Sequence, residues 1–229
     1  MFIFVKILNM IKVGLSGNRY SGKDRVCSLF NQIGVPIFNA DVILKFILSC
    51  NYEVLGEIKE KFGESVFKNG SLSLKEISNQ KIFKDILDIV EPHLMVAYDR
   101  FINKNKKSLY TIFHSSILFE RGWNAKMDKN ISVFSPLHDR VQRCRAITQR
   151  KVSTIHDLAK SEIKDLDKNN KSDFVVHNYE AGLDPLDTVN DIDKAILNEI
   201  IERDKELDKN KKSKVTTVGG NKNFIRINL

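Results

Sequence analysis

Five short apolar runs, rich in Val, Ile and Phe, recur along the chain and are separated by longer segments with helical spacing of their apolar residues. The runs are Ile11–Leu15, Val35–Phe38, Leu109–Phe113, Ile131–Phe134 and Phe174–Val176. Each run is apolar on both faces, which is typical of strands buried within a parallel sheet. The alternation of strands and helices therefore predicts an α/β fold with a five-stranded parallel sheet and helices on both faces.

Helix-period spacing fills most of the chain between these runs. The predicted helices are Gly22–Ile33, Ile43–Leu48, Val54–Phe62, Leu74–Lys104 with an interruption at Pro92, His138–Gln149, Ser153–Leu166 and Leu186–Leu207. The region 51–107 lies between the second and third predicted strands and is almost wholly helical in pattern. It is too long for a simple crossover, so we interpret it as a helical insertion that covers a substrate.

The composition is that of one globular domain with an elaboration, since 42% of the 229 residues are hydrophobic and 29% are charged. The net charge is +8, but residues 205–229 hold seven Lys or Arg against two acids, so this end contributes +5 and the rest only +3. We expect an N-terminal extension over 1–9, a folded domain over 10–205 and a flexible basic tail over 206–229. Binding of the tail to nucleic acid or to an acidic membrane surface is the less favoured interpretation.

The cysteines argue against a disulfide framework and against structural zinc, because Cys27, Cys50 and Cys144 are odd in number and form no CxxC pair. Cys27 and Cys50 lie in apolar helical surroundings and are expected in the core. No segment reaches transmembrane length, and the apolar residues 1–9 are too few to span a bilayer. We therefore expect a soluble, cytoplasmic protein.

The strongest chemical signal is Gly17–Lys23, which matches the G-x-x-x-x-G-K pattern between a predicted strand and a predicted helix. Glycines let successive backbone N–H groups point at one anion, and the start of the helix adds its positive dipole end. Lys23 reaches the β- and γ-phosphates as a mobile charge. The residues expected to contact ATP here are Gly17, Asn18, Arg19, Tyr20, Ser21, Gly22, Lys23, Asp24 and Arg25.

Asp24 stands where Ser or Thr normally follows the lysine and places a hydroxyl on Mg²⁺. A carboxylate ligates Mg²⁺ well, because hard cations prefer oxygen. One hypothesis is that Asp24 binds Mg²⁺ directly. The alternative is that Asp24 only caps the helix and the metal is held by other groups.

Asp41 lies just beyond the carboxyl end of the second predicted strand, at the edge where ligands bind in open α/β sheets. A carboxylate near the γ-phosphate can accept the proton of an attacking hydroxyl. Taken alone, an Asp in this position is more often a helix N-cap.

The chain resembles the dephospho-CoA kinase family from about Ile11 to Ile200. Besides the phosphate loop, the segments that carry this resemblance are Gly34–Ile43, Lys61–Leu72, Gln80–Phe83, Ile117–Glu120, Gln142–Arg145 and Asp173–Asn178. The resemblance implies a three-layer P-loop kinase fold with a lid over about 139–166. It also implies transfer of phosphate from ATP, with Mg²⁺, to the ribose 3′-hydroxyl of dephospho-CoA held under the 51–107 insertion.

The resemblance also implies residue roles. Asp41 is then the catalytic base and acts with Lys23, and Asn178 borders the adenine of ATP. Lid arginines that neutralise phosphate charge are expected at Arg143, Arg145 and Arg150. The partner is then a small molecule, with no membrane or nucleic-acid partner expected, while the oligomeric state is left open.

Several positions depart from the family pattern. Asn18-Arg19-Tyr20 replaces Gly-Ile-Gly, Glu91 stands in the place of the His before Pro92, and His114 and Ser116 replace an Asp and a Pro. Two alternatives therefore remain open at this point. One is a nucleoside or deoxynucleoside monophosphate kinase, and the other is a divergent nucleotide-binding protein without kinase activity.

Overall fold

The computed structural model describes residues 10–68, 71–73, 80–148, 160, 162–179 and 184–217. Its strands in chain order are β1 (Ile11–Gly17), β2 (Ile37–Asn39), β3 (Phe67–Lys68), β4 (Ser71–Leu72), β5 (Tyr110–His114), β6 (Lys129–Phe134) and β7 (Phe174–His177). Five of them form a parallel sheet in the order β2-β5-β1-β6-β7, while β3 and β4 pair as a separate antiparallel hairpin. The predicted α/β fold with a five-stranded parallel sheet is confirmed.

The helices of the described residues are α1 (Lys23–Gln32), α2 (Ala40–Cys50), α3 (Tyr52–Phe62), α4 (Gln80–Lys104), α5 (Leu137–Thr148), α6 (Asp165–Asn170) and α7 (Pro185–Thr217). Two short 3-10 helices cover Gly63–Val66 and Trp123–Lys126. In this part of the chain, no helix is both long enough and apolar enough to cross a membrane.

Helices cover both faces of the sheet, and each face has its own apolar core. One core packs residues of α2, α3 and α4 against the sheet, and the other packs α1 and α7 against the opposite face. Strand β5 contributes side chains to both cores, because Phe113 lies in the first core and Ile112 in the second. These two side chains are fully buried. Burial of each of these side chains contributes about 1.5–3 kcal/mol.

The predicted strands agree with the observed ones to within two residues, but the predicted interruption at Pro92 is wrong. Helix α4 runs without a break through Pro92. A proline removes one helical hydrogen bond, whereas Ile86, Val90 and Leu94 are fully buried on one face of α4, before and after the proline. Continuous packing of this face outweighs the local effect of the proline.

The end of the chain also differs from the expectation, since α7 continues to Thr217, whereas the predicted helix ended at Leu207. Val189, Ile192 and Ile196 anchor the first half of α7 in the core. Ion pairs one turn apart, such as Arg203 with Glu199, support the helix further on. The remaining tail, 218–229, and the N-terminal extension, 1–9, lie outside the described residues.

Two smaller corrections concern the lid region and a cysteine. Residues 162–164 are not helical, so the predicted helix Ser153–Leu166 is wrong at that point, and α6 begins only at Asp165. Residues 153–159 of that prediction lie outside the described part of the chain. Cys50 is exposed at the end of α2, whereas Cys27 is buried as expected.

Candidate active site

The phosphate loop, Gly17–Asp24, joins the end of β1 to the start of α1 at the carboxyl edge of the sheet. A Cβ atom at Gly17 would lie 2.5 Å from Ser21 Oγ and 2.6 Å from the Val133 carbonyl oxygen, so only glycine fits there. Gly22 has φ +87, in the left-handed region that favours glycine. Glycine is thus required at Gly17 and at Gly22 for different steric reasons.

Two residues from elsewhere hold the carbonyl oxygens of this loop. The Nδ2 of Asn178, just beyond β7, donates to the Ser21 carbonyl oxygen at 2.7 Å, and a Cβ at Gly22 would lie 2.0 Å from this nitrogen. Arg143 on α5 donates from Nη1 to the carbonyl oxygens of Tyr20 and Ser21, both at 3.1 Å. It also donates from Nη2 to the carbonyl oxygen of Asn178. These bonds tie β7 and α5 to the backbone of the phosphate loop.

A second set of residues, not predicted from the sequence, forms hydrogen bonds with the first half of the loop. The Arg19 N–H donates to Glu162 Oε1 at 2.8 Å, and the Asn18 amide donates to Asp165 Oδ1 at 2.8 Å. Arg140 Nε donates to the Arg19 carbonyl oxygen at 2.8 Å, and its guanidinium forms ion pairs with both Glu162 and Asp165. Burial raises the pKa of the Asp165 carboxyl even though the charge of Arg140 opposes this. No local motif marks this group; its one hint is that Arg140 precedes Arg143 by one helical turn.

Asp24 does not cap α1, since Gly22 occupies the N-cap position and no side chain forms a cap hydrogen bond there. The Asp24 carboxylate is 77% exposed, and its Oδ2 lies 3.9 Å from Nζ of Lys23, whose side chain is only 12% exposed. A carboxylate in the first turn is favoured by the helix dipole. The capping alternative for Asp24 is therefore wrong.

Asp41 is likewise not the cap of its helix. Asn39 caps α2, with its Oδ1 accepting from the Val42 N–H at 3.1 Å. The Asp41 carboxylate accepts from Ser115 Oγ at 3.1 Å and from the Ser116 N–H, which is 3.0 Å from both carboxylate oxygens. These bonds hold Asp41 over the loop that follows β5, and they overturn the N-cap interpretation.

His114, the last residue of β5, lies at this edge between β1 and β2. Its Cα pairs with Leu15 of β1 on one side and with Asn39 of β2 on the other. Its side chain is 2% exposed, and its Nε2 lies 3.4 Å from Asp24 Oδ1. Burial lowers the pKa of His114, although the charges of Asp41 and Asp24 act in the opposite direction. In the sequence, His114 stands out only as a departure from the family pattern.

Two cavities open on either side of Arg19. One, of about 360 Å³, is lined by Arg19, Tyr20, Gly22, Lys23, Asp24, Arg143 and Ile147. The other, of about 380 Å³, lies between the phosphate loop and α4 and is lined by Arg19, Phe83, Lys84, Leu87, Ser116, Ile117, Glu120, Arg121 and Glu162. The second cavity reaches Ser116, whose N–H holds Asp41, so the arrangement can accommodate a phosphate donor and an acceptor side by side.

Comparison with known proteins identifies the family. The family model described as CoaE, dephospho-CoA kinase, matches residues 11–184. The chain belongs to the dephospho-CoA kinase family.

Relatives within this dephospho-CoA kinase family are distant in sequence but span most of the chain. A dephospho-CoA kinase of Bacteroides fragilis is 26% identical over 199 residues, covering 84% of this chain and 90% of that protein. One of Fusobacterium nucleatum is 29% identical over 179 residues, covering 75% and 91%.

Solved structures share the fold. The protein TT1252 of Thermus thermophilus superposes with a TM-score of 0.71 at 22% identity, covering 83% of this chain and 98% of that one. The dephospho-CoA kinase of Campylobacter jejuni gives a TM-score of 0.52 at 16% identity, covering 82% and 97%. At these identities the superpositions establish the three-layer architecture and nothing about individual side chains.

The remaining predicted site residues are arginines, and those that the structure describes do not lie together. Arg25 and Arg145 are exposed, on α1 and α5 respectively. Arg143 contacts the backbone of the phosphate loop, and Arg150 lies outside the described residues. The predicted set of lid arginines is therefore not seen together as a group.

Asp24 offers Mg²⁺ a single exposed carboxylate beside the phosphate loop. Among the residues that the structure describes, no group of three or more His, Cys, Asp or Glu could hold a metal by itself. Mg²⁺ in phosphoryl-transfer sites is usually held by one or two carboxylates together with substrate phosphates and water. One exposed carboxylate next to the phosphate loop fits that mode of binding.

Proposed function

We propose that this chain transfers the γ-phosphate of ATP to the ribose 3′-hydroxyl of dephospho-CoA, the step that yields coenzyme A. The observation that carries the proposal is the convergence at one sheet edge of Lys23, from the phosphate loop, and Asp41, from the start of α2. Both charges act on the buried His114 at the end of β5. Membership of the dephospho-CoA kinase family supports the choice of acceptor.

ATP binds along the phosphate loop, where the N-terminus of α1 and Lys23 attract its β- and γ-phosphates. Asn178 and Arg143 act on ATP indirectly, because their side chains donate to carbonyl oxygens of the loop. We assign them to positioning the loop. Arg145 and Arg150 are the arginines left to neutralise phosphate charge from the lid.

The acceptor occupies the cavity between the loop and α4, with its 3′-hydroxyl at Asp41. The hydroxyl oxygen attacks the γ-phosphorus, the bond to the β–γ bridging oxygen breaks, and ADP leaves. Asp41 orients the hydroxyl and takes its proton. Hydrogen bonds from Ser115 and Ser116 fix the carboxylate in place without occupying all of its lone pairs.

When bound, Mg²⁺ neutralises charge on the β- and γ-phosphate oxygens. Of this chain's residues, Asp24 is the one we assign to hold it. Lys23 contributes a further positive charge to the same oxygens. The protein's part is thus mostly positioning and charge neutralisation, as expected for phosphoryl transfer.

An acceptor panel tests the proposal. ADP release is measured with dephospho-CoA and with a set of nucleoside monophosphates, and we expect turnover with dephospho-CoA alone. Faster turnover with any nucleoside monophosphate would favour the monophosphate-kinase alternative. ATP binding without turnover on any acceptor would favour a non-catalytic protein.

Asp41→Asn tests the assignment of the base. We expect ATP affinity to stay within about threefold while transfer falls by about 10²–10⁴. The matched control is Asp187→Asn, which makes the same change at an exposed position in the first turn of α7. Full transfer by Asp41→Asn would exclude Asp41 as the base.

A further inference from the structure

Two unusual residues of this site face each other. In P-loop NTPases, Mg²⁺ is commonly held by the Ser or Thr hydroxyl that follows the loop lysine and by an Asp at the end of a strand. Here the residue after the lysine is Asp24, and β5, one of the two strands hydrogen-bonded to β1, ends in His114. A carboxylate and a hydrogen-bonding side chain are both present, but their places are exchanged.

The geometry links the two residues. His114 Nε2 lies 3.4 Å from Asp24 Oδ1, within ion-pair range. The imidazole is 2% exposed, and neither ring nitrogen has a hydrogen-bond partner in the described ranges. Leaving both nitrogens unpaired in a buried position is costly, so a small shift of the exposed Asp24 carboxylate that completes a hydrogen bond from Nε2 is favoured.

The carboxylates already at this strand end disfavour a further one. Asp24 Oδ1 lies 3.4 Å from His114 Nε2, and Asp41 accepts from Ser115 and Ser116, the two residues that follow His114. An Asp at position 114 would add a third carboxylate beside Asp24 and Asp41, and like charges that close disfavour one another. An imidazole adds no carboxylate there and offers an N–H donor.

We propose that Asp24 and His114 form an exchanged pair, in which Asp24 supplies the carboxylate that holds Mg²⁺ and His114 positions that carboxylate by donating from Nε2. His114 is thus a positioning residue. The inference rests on the proposed function only in that the chain binds ATP with a divalent cation, and it does not depend on the acceptor.

The test restores the usual arrangement by a double exchange. Mn²⁺ replaces Mg²⁺ as a probe, and its affinity is measured by electron paramagnetic resonance with a saturating non-hydrolysable ATP analogue. We expect Asp24→Ser to weaken Mn²⁺ binding about 10–100-fold. Adding His114→Asp to Asp24→Ser should return the affinity to within about threefold of the native protein. A double variant that binds no better than Asp24→Ser would overturn the proposal.

A matched control uses another histidine next to an aspartate. His138 is 71% exposed on α5, with its Nε2 3.1 Å from Asp139 Oδ1. His138→Asp added to Asp24→Ser introduces the same charge outside the exchanged pair and should leave the weak Mn²⁺ affinity unchanged. Recovery in this control would mean that net charge, not the pair, governs the affinity, and would also overturn the proposal.

Single variants keep the idea testable if the double variant does not fold. His114→Asn retains a donor and should keep Mn²⁺ affinity within about threefold, whereas His114→Leu should weaken it about tenfold. Equal effects of the two substitutions would refute a positioning role. Transfer to dephospho-CoA is measured separately, so loss of the acceptor assignment leaves the exchanged pair standing, and failure of the pair leaves the acceptor assignment standing.

Discussion

Gly22 offers a sharp test of how the phosphate loop is held. It forms the N-cap of α1 with φ +87, and a Cβ there would lie 2.0 Å from Asn178 Nδ2 and 3.3 Å from its Cγ. The Asn178 side chain is buried and donates to the Ser21 carbonyl oxygen, so it has no free direction in which to retreat. Gly22→Ala therefore strains the backbone and expels Asn178.

The expected cost has two parts. A left-handed backbone costs a residue with a side chain about 1–2 kcal/mol. Displacing Asn178 leaves its buried amide without the Ser21 partner, which costs about 1–3 kcal/mol. Gly22→Ala should therefore lower the free energy of unfolding by about 2–5 kcal/mol, and should weaken ATP binding because the loop is no longer in place.

Urea unfolding with a matched glycine separates the two parts. Gly34 has φ +92 but nothing within 4 Å of its would-be Cβ. Gly34→Ala should cost only the backbone strain, about 1–2 kcal/mol, and should leave ATP affinity unchanged. If Gly22→Ala costs no more than Gly34→Ala, the contact between Gly22 and Asn178 does not hold the loop, and the reasoning is refuted.

Further predictions concern charge and thiols. Lys23→Ala should lower turnover by about 10³-fold or more in an ADP-release assay, since a principal charge on the phosphates is lost; near-native turnover would exclude its role. Burial, and then the nearby carboxylates, raise the pKa of the Cys27 thiol far above its ordinary range. A thiol reagent at pH 8 should label exposed Cys50 in the folded protein, and buried Cys27 and Cys144 only after denaturation; labelling of all three at one rate would contradict the structure. Partial burial acts to raise the pKa of Glu91, but hydrogen bonds from a neighbouring arginine and lysine outweigh it and leave that pKa below its unfolded value of 4.5. Its stabilisation is therefore present above about pH 4.5 and lost as pH falls through the lower folded pKa. Urea unfolding should show Glu91→Gln to be more damaging at pH 7 than at pH 3, and an equal loss at both would rule out the ionised carboxylate as the cause.

The sheet and the phosphate loop were predictable because their signals are local. A strand buried on both faces is mostly apolar, as at Tyr110, Ile112 and Phe113 of β5, and the loop motif places Gly17 and Gly22 at a fixed spacing. The location of Asp41 at a strand end was predictable from the sequence. That Asp41 does not cap α2 was not predictable, because it depends on Asn39 forming the cap instead.

The missed features join residues that are distant in sequence. The bonds from Arg19 to Glu162 and from Arg140 to Arg19 span 143 and 121 positions, respectively. No periodicity encodes such pairs, since they exist only once the layers have packed. Pro92 failed as a helix breaker for the same reason, because packing on both sides of it outweighed a local rule.

The double grip of α5 on the phosphate loop limits how this enzyme can close. Arg140 and Arg143, one turn apart, each donate to backbone carbonyl oxygens between Arg19 and Ser21. The part of α5 up to Arg143 is thereby fixed to the phosphate loop. It cannot move without breaking these hydrogen bonds. A movement that brings Arg145 over a bound triphosphate must therefore bend the chain after Arg143. The segment that moves is then shorter than α5 itself.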